Sequence, residues 1–266
     1  MILVTGATGN AGAELVRVLR ASGQPVRPLV RGPGGLPDLN QPASLRPALD
    51  GVSGLFLLSG YDDMPGVLAE AARAGVERVV LLSGSTAESG DTANAVTRYM
   101  IRSEQAVRES ELSWTILRPH AFMSNALRWL PQLSAGNTIR AQFPQAVSTA
   151  IDPYDIASVA AAALTSAGHE GATYRLTGAE ALRPADQVRI LGEAIGRDLT
   201  FVGLTDEETR AELNRTMPAP YVEAFWSFYV DGTLDESMVS PAVAEVTGRP
   251  PRTFRQWAAD HVDAFR

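Results

Sequence analysis

Met1-Ile2-Leu3-Val4-Thr5-Gly6-Ala7-Thr8-Gly9-Asn10-Ala11-Gly12 opens the chain. A short apolar strand former runs straight into glycines at three-residue spacing. Apolar residues then recur at helical spacing through Glu14-Leu15-Val16-Arg17-Val18-Leu19-Arg20. Gly23 stops that helix before a second apolar strand, Val26 to Val30. In such a turn Gly6 permits the reversal, Gly9 lets main-chain amides approach a pyrophosphate, and Gly12 lets the helix pack close to the strand. The helix dipole then faces the phosphates. Glycines alone would serve turn geometry only. Set between a strand and a helix, they read as a dinucleotide-binding turn.

Working outward, strands and helices alternate through the first two thirds, the pattern of a parallel, doubly wound α/β sheet. Leu55-Phe56-Leu57-Leu58, Arg78 to Ser83 and Trp114 to Arg118 are near-continuous apolar strands, as in a sheet covered on both faces. Helices are expected over Pro65 to Ala74 and from about Ala93 to Ser110. Between Val30 and a helix near Pro42, the segment Arg31 to Gln41 is too rich in Gly and Pro for another helix and strand, so the usual edge strand is expected to be lost or vestigial. After Leu133 the pattern loosens: a helix from Pro153 to Ser166, short strands at Thr173 to Leu176 and Thr200 to Val202, a helix from Asp186 to Ile195, then several short helices. The expected organisation is a Rossmann-type core over 1–132 and a smaller, mostly helical lobe over 133–266, with 153–176 returning to the core.

With 266 residues the chain is long enough for one large α/β domain carrying a lobe. Cysteine is absent, which excludes disulfides and thiolate metal sites. All 23 basic residues are arginine, which excludes Schiff-base lysines, a Walker-type lysine and a lysine-assisted tyrosine acid. A net charge of −7 without a basic cluster argues against nucleic acid as a partner. There is no signal-peptide pattern and no apolar run of membrane-spanning length, so a cytoplasmic protein with no membrane partner is expected. His120, His169 and His261 are far apart and lack carboxylates at ligand spacing, so no metal is expected. Ser83-Gly84-Ser85 lacks the glycine pattern of a hydrolase elbow.

Four segments together resemble the NmrA-like NAD(P)H-binding proteins, a branch of the atypical short-chain dehydrogenases/reductases. They are GATGNAG at the start, LLSGSTA after the central strand, WTILRPHAFMSN and DPYDIASVA; GRPPRTFRQWAADH near the end is similar to bacterial members. The resemblance implies substrate held between a Rossmann core and a small lobe. It covers both reductases of quinones or other carbonyl compounds and regulators that bind dinucleotide without turnover. Counting back from Glu104, which looks like the family's helix glutamate, the Lys and Tyr of the Tyr-x-x-x-Lys pair fall on Met100 and Val96, both inert. Ser85 stands at the serine position.

Gly6, Thr8, Gly9, Asn10 and Gly12 are the expected pyrophosphate contacts. Arg31 follows the second strand, where an acidic residue would favour NAD(H); an arginine there pairs with a 2′-phosphate and favours NADP(H), unless it is a solvated loop residue. Asp38 looks like the family position near the adenine. Ser59, Gly60 and Tyr61, with Ser83 and Pro119, lie at strand ends where ligands of such sheets bind. Tyr99, Tyr61 and His120 are candidate proton donors, and Ser85 is a candidate to polarise a carbonyl; His120 could equally be a structural histidine. Phe122, Met123, Asn125 and Trp129 follow the mouth on a helix and are substrate or core residues. Phe225, Trp226 and Tyr229, in an aromatic run, pack the lobe or cover a flat aromatic or quinone-like substrate. Asp152 and Asp155 read as helix caps. The leading expectation is an NADP(H)-dependent oxidoreductase reducing a quinone, ketone or enone; a non-catalytic NADP(H) sensor and a non-redox isomerase or cyclase stay open, as does the oligomeric state.

Overall fold

Leu55, Phe56 and Leu57 are all within two per cent of complete burial, which an alternating half-buried strand could not achieve. They belong to a six-stranded sheet in the computed structural model, which describes residues 1–30 and 38–265. In its first half the chain runs β1 (Ile2–Val4), α1 (Asn10–Ala21), β2 (Val26–Pro28), α2 (Arg46–Leu49), β3 (Gly54–Leu58) and α3 (Met64–Arg73). It continues through β4 (Arg78–Leu82), α4 (Ala95–Arg108), β5 (Ser113–Pro119), α5 (Leu130–Ala135), β6 (Thr138–Ala141), α6 (Pro153–Thr165) and β7 (Ala172–Leu176). The last third holds α7 (Pro184–Ile195), β8 (Thr200–Gly203), α8 (Asp206–Thr216), α9 (Ala219–Tyr229), α10 (Ala242–Thr247) and α11 (Phe254–Asp260).

The strand order is β2-β1-β3-β4-β5-β7, every pair parallel. Order reverses beside β1, so a crevice opens above its C-terminal end, where dinucleotides lie in such sheets. Among the described residues β2 is the edge, and Pro42–Leu45 forms a 3-10 turn leading into the one-turn α2 rather than a longer helix. β6 and β8 pair in a separate two-stranded sheet.

Three apolar clusters hold these layers together. One face of the sheet packs on α1 and α6, where buried Ala157, Ala160, Ala161 and Ala163 allow close approach; the other packs on α3 and α4 around Val67, Leu68 and Val107. A third core joins Leu133, Ile139, Leu191, Phe254 and Trp257 in the C-terminal part. Asn94 caps α4, accepting from the Val96 and Thr97 amides at 3.0 and 3.2 Å. Asp152 caps α6, accepting from the Tyr154 amide at 2.9 Å. Asp155 is not a cap: fully buried, it pairs with Arg249 at 2.6 Å and accepts the Arg252 amide at 2.7 Å.

Candidate functional site

Gly6 has φ +61, and a Cβ there would stand 2.6 Å from Leu58 Cδ1. A Cβ on Gly12 would stand 2.2 Å from the Gly6 carbonyl oxygen, so α1 sits directly on the turn. Gly9 leads into α1 without a side-chain cap, and the first turn of the helix carries no acidic residue. Its amides and dipole are therefore offered to an anion. Thr8, Gly9 and Asn10 line a cavity of about 210 Å³ shared with Ser124, Asp152, Trp257 and His261. Ser124 is 7 % exposed, and its Oγ has no hydrogen-bond partner among the described residues. An open helix start and an orphaned hydroxyl fit the phosphate portion of a dinucleotide.

Beside this turn a groove of about 410 Å³ runs over the ends of β3, β4 and β5. Ser59, Ser83, Ser85, Pro119 and His120 form its floor, Tyr99, Phe122 and Asn125 its flanks, and Phe225 and Tyr229 of α9 its roof. Phe225 and Tyr229 stack at 6.3 Å between centroids, and Phe143 leans on Tyr229 at 4.9 Å. Gly60, with φ +98, lines the neighbouring groove on the other side of Tyr99; a Cβ there would be 3.3 Å from the Tyr99 ring. Ser59 Oγ donates to the Leu82 carbonyl at 2.8 Å, and Ser83 Oγ to Glu104 at 2.7 Å. Both hydroxyls are tied to the protein.

Other expected site residues lie elsewhere. Tyr61 lines a separate groove with Arg102 and Glu109, because the chain turns away at Gly60. Met123 and Trp129 are buried in the third core, since the helix carrying them is a 3-10 helix (Met123–Trp129) that sends them inward. Trp226 points off the groove, with Arg210 4.4 Å over its ring. Asp38 is exposed and holds its own turn, accepting from the Asn40 amide at 3.0 Å. Arg31 lies outside the described residues.

Glu236 escaped the sequence reading. It lies in the irregular stretch between α9 and α10, where nothing in a polar loop marks it, yet it is only 5 % exposed and lines the groove. Its Oε1 accepts from Ser85 Oγ at 2.9 Å and from the Ala121 amide at 3.1 Å; its Oε2 accepts from Ser148 Oγ at 2.9 Å. The main-chain carbonyl of Glu236 accepts from the Thr149 amide at 2.8 Å and from Thr149 Oγ1 at 3.1 Å. Thr149 Oγ1 also lies 2.7 Å from Nδ1 of His120, which is 3 % exposed.

Burial pushes the His120 imidazole below its ordinary value, outweighing the pull of the Glu236 charge. Burial likewise raises the Tyr99 and Tyr229 phenols, so both are protonated at neutral pH. Glu104 is desolvated by burial, but hydrogen bonds from Arg118 and Ser83 hold it below the usual carboxylate range. Arg118 grips it with Nε at 2.8 Å and Nη2 at 2.6 Å.

The NAD(P)H-binding family model matches residues 6–167, from the first glycine of the turn to just past α6. The chain belongs to the NAD(P)H-binding family. Relatives span its whole length. The (4-alkanoyl-5-oxo-2,5-dihydrofuran-3-yl)methyl phosphate reductase of Streptomyces griseus is 40 % identical, covering 100 % of this chain and 99 % of the relative. An NAD(P)H azoreductase of Xenophilus azovorans is 34 % identical with the same coverage, 100 % and 99 %. Among solved structures, an NADPH-dependent quinone oxidoreductase from Escherichia coli superposes with a TM-score of 0.78 at 22 % identity, covering 98 % of this chain and 99 % of that one. That likeness shows the fold.

Proposed function

We propose that the groove binds an electron-poor, flat small molecule and reduces its conjugated or carbonyl double bond. The chain is an NAD(P)H-dependent oxidoreductase, and NADP(H) is the proposed preference because Arg31 follows the second strand where an acidic residue would serve NAD(H). The observation that carries the substrate reading is the meeting, in one groove at the strand ends, of the aromatic roof of α9 with the Tyr99 phenol, which burial keeps protonated. The reductase from Streptomyces griseus is named for an alkanoyl-substituted oxo-dihydrofuran, an acylated unsaturated lactone, which favours an enone within the class of quinones, ketones and enones.

When bound, the reduced nicotinamide supplies hydride. The turn at Gly6, Gly9 and Gly12, with the Ser124 hydroxyl, holds the phosphates. Phe225 and Tyr229 exclude water and orient a planar acceptor over the strand ends, so proximity and orientation provide most of the acceleration. Tyr99 gives its phenolic proton to the oxygen or carbon that gains negative charge and regains it from solvent. Neither Met100 nor Val96 can take part, so no lysine lowers the Tyr99 pKa; burial raises it, which suits an acid but slows proton release. Acceptors whose reduced anions are stabilised by conjugation need the least from such a donor. Loss of NADPH absorbance with a panel of enones and quinones tests the reading. Tight NADPH binding with no turnover on any member would replace it with a sensor, and product formed without NADPH would replace it with an isomerase or cyclase.

A further inference from the structure

Counting protons around Glu236 fixes the chemical character of the groove floor. The Glu236 carboxylate is approached by three donors: Ser85 Oγ, Ser148 Oγ and the Ala121 amide, at 2.9, 2.9 and 3.1 Å. Ser85 has one hydroxyl proton, and Glu236 takes it. What Ser85 turns toward the groove is lone pairs. The same argument holds one step away. Thr149 Oγ1 is flanked by the carbonyls of Glu236 and Met238, at 3.1 and 3.4 Å, and gives its single proton to them. It therefore accepts from His120 Nδ1–H at 2.7 Å, and burial keeps the imidazole neutral, so Nε2 is left as an acceptor.

Resting on the reductase reading above, we propose that Glu236 is a positioning residue that makes Ser85 and His120 hydrogen-bond acceptors, so that the groove selects acceptors carrying a hydroxyl or amine hydrogen beside the reducible bond. The floor recognises that hydrogen, while the Tyr99 phenol on the flank serves the reacting oxygen. Specificity arises because a buried acceptor pair left without a donor is costly, whereas a matched hydroxyl satisfies it. The lobe thus writes the specificity of the core: the carboxylate arrives from a segment 151 residues after Ser85.

The test compares two naphthoquinones, one with a hydroxymethyl and one with a methyl group beside the carbonyl, in NADPH-driven turnover by the full chain. The methyl compound is the smaller, so its rejection is not steric. The wild-type protein is expected to favour the hydroxymethyl compound by about tenfold or more in kcat/KM, mostly through KM. Glu236→Gln should keep that preference: the Ala121 amide needs an oxygen acceptor, which fixes the amide oxygen at the Oε1 position, leaves Ser85 donating to it and turns only Ser148. Glu236→Met removes the side-chain acceptor and frees the Ser85 proton into the groove, while the main-chain carbonyls that hold Thr149 keep His120 an acceptor, and should lower the ratio by about threefold or more. If Glu236→Met does not fold, Ser85→Ala replaces it and should reduce the ratio in the same direction. Equal kcat/KM for both quinones in the wild-type protein, or an unchanged ratio in Glu236→Met or Ser85→Ala, overturns this inference alone. Absence of turnover on both quinones and on every enone of the panel overturns the reductase reading beneath it; where only enones turn over, the same comparison is made between a hydroxymethyl and a methyl enone, with the same outcomes.

Discussion

Ser85, just past the end of β4, and Glu236, between α9 and α10, are joined by a hydrogen bond of 2.9 Å within the groove. That bond ties the segment after α9 to the sheet in the groove proposed to hold the reactants. Replacing Glu236 with alanine would strand two hydroxyls and the Ala121 amide without an acceptor. We expect Glu236→Ala to lose about 3 kcal/mol of unfolding free energy, read as a lower urea midpoint. A change below about 0.5 kcal/mol would show that solvent satisfies these groups and that the site is open there.

Gly12→Ala places a methyl carbon 2.2 Å from the Gly6 carbonyl oxygen and 2.7 Å from the Gly6 carbonyl carbon, main-chain atoms that cannot swing aside. The turn must shift to admit it. We expect NADPH affinity by calorimetry to fall by more than about tenfold, with a stability loss of about 1–3 kcal/mol. Unchanged affinity would mean that the turn does not hold the phosphates.

His120 is held neutral by burial, with Glu236 opposing and Arg175 reinforcing that shift. Its folded pKa is below its unfolded one, so between the two the unfolded chain binds the extra proton. The stability associated with the neutral ring is complete above the unfolded value of about 6.5 and is lost as the pH falls toward the folded value. Urea unfolding of the wild-type protein and His120→Asn at pH 8, 7, 6 and 5 should show the wild-type advantage shrinking with acidification below about 6.5. An advantage that grows on acidification would contradict the assigned direction.

Much of the fold could be read in the residues because two signals were strong. Leu55-Phe56-Leu57-Leu58 and its companion strands are apolar without alternation, which only a doubly covered sheet explains, and the glycines of the first turn sit where backbone crowding forbids a Cβ. Ser59, Ser83, Ser85, Pro119 and His120, all read at strand ends, come together along one groove. Orientation on irregular or helical segments was harder. Phe225 and Tyr229, four apart, share the inward face of α9, while Trp226, one residue on from Phe225, is turned by about 100° onto Arg210. Tyr61 was lost to the reversal at Gly60. Glu236 had no periodic pattern to mark it, because its position depends on tertiary contacts with Ser148 and Thr149, from another irregular segment.

Arg31 carries the proposed preference for the phosphorylated cofactor. Arg31→Ala should raise the NADPH dissociation constant by about tenfold or more while changing that for NADH by less than about twofold, since only the 2′-phosphate loses a partner. Equal effects on both nucleotides would remove this residue from the account.

Tyr99→Phe removes the proposed proton donor and keeps the ring that rests on Gly60. We expect kcat to fall by about 10²-fold with KM nearly unchanged, for an enone more than for a quinone, whose reduced anion is better stabilised. Full retention of kcat on both would assign proton delivery to water.

The central claim, hydride delivery in this groove, is tested most directly with NADPH carrying deuterium at the reactive carbon of the nicotinamide. Mass spectrometry of the product from an enone acceptor should show one deuterium gained on carbon, from one label position and not the other. NADPH bound tightly, with the enone recovered unreduced and unlabelled from a panel that includes acylated unsaturated lactones, would contradict it.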